Sequence, residues 1–117
     1  MPHVVIEDAC DLGIACQGIK LTAVRNGSEI LKVVDVYPNR SSRTALVDCV
    51  VVEAGRSQSF FVQLSEKHRQ ITVRLLPATD PEKTNGVKRI MALIARQLHE
   101  STAGTRFGKT NLQEFLP

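Results

Sequence analysis

Ile19-Lys20-Leu21-Thr22-Ala23-Val24-Arg25-Asn26-Gly27-Ser28-Glu29-Ile30-Leu31-Lys32-Val33-Val34-Asp35-Val36-Tyr37 is the stretch on which the fold turns. Its first five residues alternate apolar and polar at the period of a strand, and Asn26-Gly27 separates them from a second β-rich run. Asn-Gly between two such runs is the strongest short hairpin signal, because a type I′ turn needs positive φ at both central residues. The turn predicts antiparallel strands at about 18–25 and 28–37, with Arg25 opposite Ser28, Ala23 opposite Ile30 and Ile19 opposite Val34. One face would collect Ile19, Leu21, Ala23, Ile30, Val34 and Val36, interrupted by Lys32. The other would carry Lys20, Thr22, Leu31, Val33 and Asp35.

Downstream, Pro38 ends the strand by removing a donor. Asn39-Arg40-Ser41-Ser42-Arg43 then reads as a polar loop. A third strand at about 45–53 is apolar on both faces, as in a central strand covered on both sides. Ala54-Gly55-Arg56 turns the chain into a strand at about 58–64 with Phe60, Val62 and Leu64 on one face. Ser65 to Arg69 is a second polar turn, and 70–76 alternates with Ile71, Val73 and Leu75 inward. Asp80-Pro81 reads as the cap and first residue of a helix over about 81–102. Val87, Ile90, Met91, Ile94, Ala95 and Leu98 form its apolar stripe. Gly86 costs such a helix about 1 kcal/mol relative to Ala, which offers Thr84 as an alternative start. Gly104 ends the helix, and 104–117 is a tail whose Phe107, Leu112, Phe115 and Leu116 are spaced for docking. Upstream, Val4, Val5 and Ile6 suggest a strand at about 3–7. Asp8 to Gly18 stays ambiguous: Asp8 could cap a short helix carrying Cys10, Leu12 and Cys16, which Gly13 weakens.

The expected fold is therefore α+β. It is a single domain over 1–117, an antiparallel β-meander of five to six strands with one C-terminal helix packed across a face. The chain's 117 residues suit one domain. Four Phe, one Tyr and no Trp leave the core to Val, Ile and Leu and argue against base-stacking platforms. The formal charge of +3 is a mild tilt rather than a dense basic stripe. Cys10, Cys16 and Cys49 are odd in number and match no zinc or C-x-x-C spacing. The amino-terminal residues carry no basic-then-apolar leader pattern, and no apolar run is long enough for a membrane span. A cytoplasmic protein with reduced thiols and no membrane partner is expected, which makes the sequons at Asn26 and Asn39 chance matches.

No nucleotide, metallopeptidase or hydrolase motif appears, so no catalytic residue, metal ligand or cofactor is assigned. Glu7, Asp8 and Asp11 beside Cys10 could hold a metal or act as acid and base, but a solvated turn with a capping Asp explains them more simply. A Cys49–His68 nucleophilic pair would need a reactive thiol, and the apolar run around Cys49 argues for an inert one. One constellation comes from topology. Alternate turns of a meander share an end, so Asn39–Arg43 and Ser65–Arg69 should converge. They would gather Arg40, Ser41, Ser42, Arg43, Lys67, His68 and Arg69, with Glu66 the one acid in those loops and with Arg96 and His99 arriving on the helix. Arginine forks and hydroxyls suit phosphate or carboxylate, whereas polar loops that merely keep the protein dissolved are the plainer reading.

The expected function is a non-catalytic binding or adaptor module for a partner protein or anionic ligand. The alternatives are a nucleic-acid binder at the same end, and a small enzyme or ligand carrier with a pocket between sheet and helix. A homodimer is expected through Leu31, Val33, Leu46, Val50 and Val52, taken as the sheet face that one helix leaves bare.

Overall fold

The computed structural model describes residues 1–9 and 11–116. Five strands follow the chain as a meander: β2 (Ala23–Asn26), β3 (Glu29–Pro38), β4 (Thr44–Glu53), β5 (Arg56–Lys67) and β6 (Gln70–Leu75). The ends of the chain extend it. β1 (His3–Glu7) pairs antiparallel with β6, and β7 (Arg106–Thr110) pairs antiparallel with β1. The sheet thus has seven strands in the order β2-β3-β4-β5-β6-β1-β7. Two helices accompany it, α1 (Leu12–Cys16) and α2 (Asn85–Ser101). The α+β class and antiparallel sheet agree with the sequence reading; the seventh strand, from the tail, is an addition to it, and α1 is the short helix that the reading of 8–18 left open.

The core lies on one face of the sheet. Val33, Val47, Cys49, Val51, Phe60, Val62, Leu64, Ile71 and Val73 are buried there, against Ile90, Met91, Ile94 and Leu98 of α2 and Leu12 and Ala15 of α1. The helix stripe and the inward residues of β5 and β6 are those the periodicity indicated. Burying a Leu, Ile, Val or Phe side chain contributes about 1.5–3 kcal/mol, which is why this stripe organises the fold.

The first hairpin corrects the sequence reading. Asn26 faces Glu29, Arg25 faces Ile30 and Ala23 faces Lys32, so the register is two residues from the expected one. Positive φ falls on Gly27 alone. That suits a two-residue Gly27-Ser28 loop with glycine first, rather than Asn26-Gly27 at its centre. Ile19 to Leu21 also leaves the ladder, whose last bond runs from the Val33 N–H to the Thr22 carbonyl (2.9 Å). Ile19 is buried in the core cluster, and the Lys20 N–H donates to Gln97 Oε1 of α2 (3.1 Å). Ile19 therefore does not oppose Val34.

A β-bulge in β3 corrects the facing pattern too. Val33 opposes Cys49 and Asp35 opposes Asp48, so Val34 has no cross-strand counterpart. An extra residue reverses the side-chain alternation beyond it. Leu31 and Val33 point inward before the bulge and Val36 packs against the core after it. Leu31 and Val33 thus leave the expected dimer face, whereas Leu46, Val50 and Val52 remain half-buried on the outer one.

α2 starts later than Asp80-Pro81 suggested, with Thr84, the alternative start, as its cap. Pro77–Thr79 is one turn of 3-10 helix. Gln58 of β5 then holds the next segment, accepting from the Glu82 N–H (2.9 Å) and donating to the Glu82 carbonyl (3.4 Å). These bonds keep the backbone out of the helix until Thr84, whose Oγ1 accepts the Val87 N–H at 3.3 Å. Gly86 follows because α2 crosses β4 closely: a Cβ there would lie 2.6 Å from both Val51 Cγ1 and Glu53 Cδ. Glu53 answers from β4, its Oε2 accepting the Gly86 N–H (3.0 Å) at the positive end of the helix dipole.

Candidate functional site

The two basic loops lie side by side. Thr44 opposes Ser65 where β4 leaves the first loop. β5 runs on to Lys67, so Ser65 to Lys67, expected in the second loop, are paired strand and only His68 and Arg69 form the turn. The Glu66 N–H donates to the Arg43 carbonyl at 2.8 Å, which ties the two backbones together.

Each loop is held by its own residues. Asn39 is the hub of the first. Its Oδ1 accepts from the Arg43 N–H (3.2 Å), the Thr44 N–H (3.3 Å) and the Ser41 hydroxyl (3.2 Å). Ser42 completes the loop at φ +58°. The second is a two-residue turn in which His68 and Arg69 both take positive φ, +54° and +61°. An Asn-Gly pair would suit that geometry better than His-Arg.

Arg40, Ser41, Arg43, Lys67, His68 and Arg69 are exposed and Ser42 is half-buried. Arg40, Arg43, Lys67 and Arg69 make no ion pair among the described residues. Glu66 is the acid expected to offset them, yet its Oε1 accepts the Leu12 N–H at 2.8 Å. The carboxylate is turned toward the amino-terminal end of α1.

Residues 8–9 and 11–18 lie across this end of the sheet, which the sequence did not reveal. The Ala9 N–H donates to the Arg69 carbonyl (2.9 Å), and Asp11 caps α1 by accepting the Ile14 N–H (3.0 Å). Gly13 approaches Ser42 so closely that a Cβ would lie 3.3 Å from the serine Cβ. A surface cavity of about 490 Å³ results beside the basic loops, lined by Asp11, Ile14, Cys16, Val36, Pro38 and Ser42 among others. Ile14 is 61% exposed at its rim. The sequence offered a short capped helix here but with Asp8 as its cap; the cap is Asp11, while Asp8 stands before the helix at φ +61°.

The other candidates are engaged elsewhere. Arg106 Nε sits 3.2 Å from Glu7 and 3.4 Å from Asp8, so that acid pair has a cation of its own. Cys10, between those acids and Asp11, lies outside the described residues. His99 and Arg96 do not join the basic loops. His99 Nδ1 is 2.8 Å from Thr105 Oγ1 and its ring lies against Phe107, 4.6 Å between centroids. Arg96 lines another surface cavity with Lys20, Leu93 and Glu100. Cys49 is buried in mid-β4, five residues from the Thr44 end of the strand, roughly 16 Å at ~3.3 Å per residue. His68 lies beyond that end, so the two cannot form a nucleophilic pair. Burial, with the Asp48 charge acting in the same direction, pushes the Cys49 thiol up to about 12.

No protein-family model matches the chain, and no curated protein and no solved structure matches it. No helix among the described residues is long and apolar enough to cross a membrane.

Proposed function

We propose that this protein is a non-catalytic binding module that receives an acidic segment of a partner protein between the Asn39–Arg43 and Ser65–Arg69 loops. One observation carries the reading: the bond between the Glu66 N–H and the Arg43 carbonyl holds together two loops whose four cations have no ion-pair partner among the described residues. Cations gathered this way repel one another, and an incoming carboxylate or phosphate relieves that repulsion. Arg43 and Arg69 supply forked donors, and Ser41, Ser42 and His68 supply secondary contacts. The shelf of Ile14, Val36 and Pro38 offers room for an apolar side chain next to the charged one, which favours a peptide over a free inorganic anion. The free and buried Cys16 and Cys49 support a reducing, cytoplasmic setting.

The test is titration of the isotope-labelled chain with inorganic phosphate and with a glutamate-rich peptide containing a leucine. Amide shifts confined to residues 39–43 and 65–69, extending to Ile14 with the peptide, are expected. Replacing Arg43 and Arg69 by Ala should cost about 1.5–3 kcal/mol for each charged hydrogen bond lost and leave thermal stability nearly unchanged. Equal affinity in the double variant would return these residues to the category of solvated loops. Preferential binding of nucleic acid with a steep salt dependence would move the function to the nucleic-acid reading.

A further inference from the structure

The outer face of the sheet is the side away from both helices. The residues of the core cluster come from the inner face; Ile30, Val34, Leu46, Val50 and Val52 lie outside it, all but Val34 half-buried. Val34 is 36% exposed and Tyr37, which meets the Phe61 ring edge to face at 6.5 Å, is 51% exposed. Amid this apolar surface stand two acids directly opposite each other, Asp35 on β3 and Asp48 on β4. Both are half-buried, and neither has an ion pair among the described residues. Like charges in that relation destabilise a sheet. The nearest row toward the first hairpin holds Lys32 opposite Val50, with Lys32 exposed.

We infer that this face is a two-fold interface with a second copy of the chain, organised by Lys32 and the Asp35–Asp48 pair. The axis lies between the two sheets, runs across the strands, and passes between the Lys32–Val50 row and the Asp35–Asp48 row. A two-fold interface is self-complementary, each contact being made twice. That axis sets Lys32 of each copy above Asp35 of the other and beside Asp48, so one cation answers both carboxylates. It also sets Leu46 over Val52, Tyr37 over Ile30, and the bulged Val34 on the axis against its own counterpart. Sheets pack about 10 Å apart with strands within about 30° of one another, a spacing a lysine side chain can bridge. The charge pattern on the face selects a second copy: the acids and the base lie on opposite sides of one line, at equal distance from it.

Sedimentation equilibrium of the full chain at micromolar concentration tests the inference. The expected mass is that of two chains. Lys32→Asp, an exposed position whose substitution leaves the core intact, should weaken association by about tenfold or more. Adding Asp35→Lys to that variant should restore it, because the two charges are exchanged together. Val34→Arg should abolish association by placing two cations on the axis. A monomeric wild-type chain overturns the interface, as does unchanged association in Lys32→Asp or Val34→Arg. Failure of the charge exchange to restore association overturns the assigned axis.

Discussion

Cys49 has no exposed surface; its thiol donates weakly to the Val47 carbonyl at 3.5 Å, and its acidity is suppressed. Burial raises Cys49 to about 12 and Cys16 to about 11 from a reference of 9.0. Both thiols are therefore neutral at physiological pH. Above pH 9 the unfolded chain releases these protons while the folded one retains them. Fewer protons on the unfolded state mean that stability falls as pH rises from 9 toward the folded values. The slope approaches about 1.4 kcal/mol per pH unit for each thiol. Urea unfolding between pH 9 and 11 should show the decline, and Cys49→Ala, though less stable at pH 7, should show a shallower one; parallel slopes would disprove the linkage. Inertness of Cys49 was legible from the valines around it. Gly86 was not legible: in sequence it is a defect in a helix, and its reason is the Val51 and Glu53 side chains of β4, remote in the chain.

Among the elements, the turns separate what a sequence can specify from what the sheet imposes. Gly27 takes the positive φ that its sequence advertises, but on the first residue of the loop, and that choice moves the register by two residues. A shift of two keeps the same residues on each face; it is the bulge at Val34 that decides which face is buried where. The β5–β6 turn shows the reverse relation. His68 and Arg69 adopt left-handed φ without being the residues for it, at a cost of roughly 1 kcal/mol or more. The ladder from Lys67–Gln70 to Val62–Leu75 holds them there. Replacing His68-Arg69 with Asn-Gly should raise the melting temperature by several degrees, corresponding to about 1 kcal/mol, and should weaken phosphate and peptide binding at the basic end. A variant more stable and equally able to bind would show that this turn takes no part in recognition. Lower stability would show that the His68 or Arg69 side chain supports the fold in its own right.

For the molecule as a whole, stability should be graded across the sheet. β4, β5 and β6 have neighbours on both sides and buried inner faces, whereas all four residues of the edge strand β2 are exposed. Amide hydrogen exchange should therefore leave Val47, Val62 and Val73 protected to the limit of global unfolding, while Val24 and Arg25 open at a small fraction of that free energy. Equal protection in β2 and β5 would contradict the gradient; protection of β2 alone, raised with protein concentration, would point to pairing at that edge rather than across the outer face. The local sequence determined the elements whose pattern is local. The 3.6-residue stripe of α2, the alternation in β5 and β6, and the existence of a hairpin at Gly27 all follow from propensity and periodicity within a few turns of chain. Convergence of the two basic loops was also legible, since it needs only that a meander returns to the same end every second turn. Tertiary structure alone decided the rest. β1 enters between β6 and β7 because its Val4 and Ile6 are buried only there, and the tail becomes a strand because β1 then presents a free edge. Residues 8–9 and 11–18 lie over the basic end because β1 delivers them there. The start of α2 is set by Gln58 on β5. The faces of β3 depend on one bulged residue whose sequence, valine beside valine, is as good a strand as its neighbours. In each case the deciding energy is a contact between residues far apart in the chain, and local propensity carries no record of it.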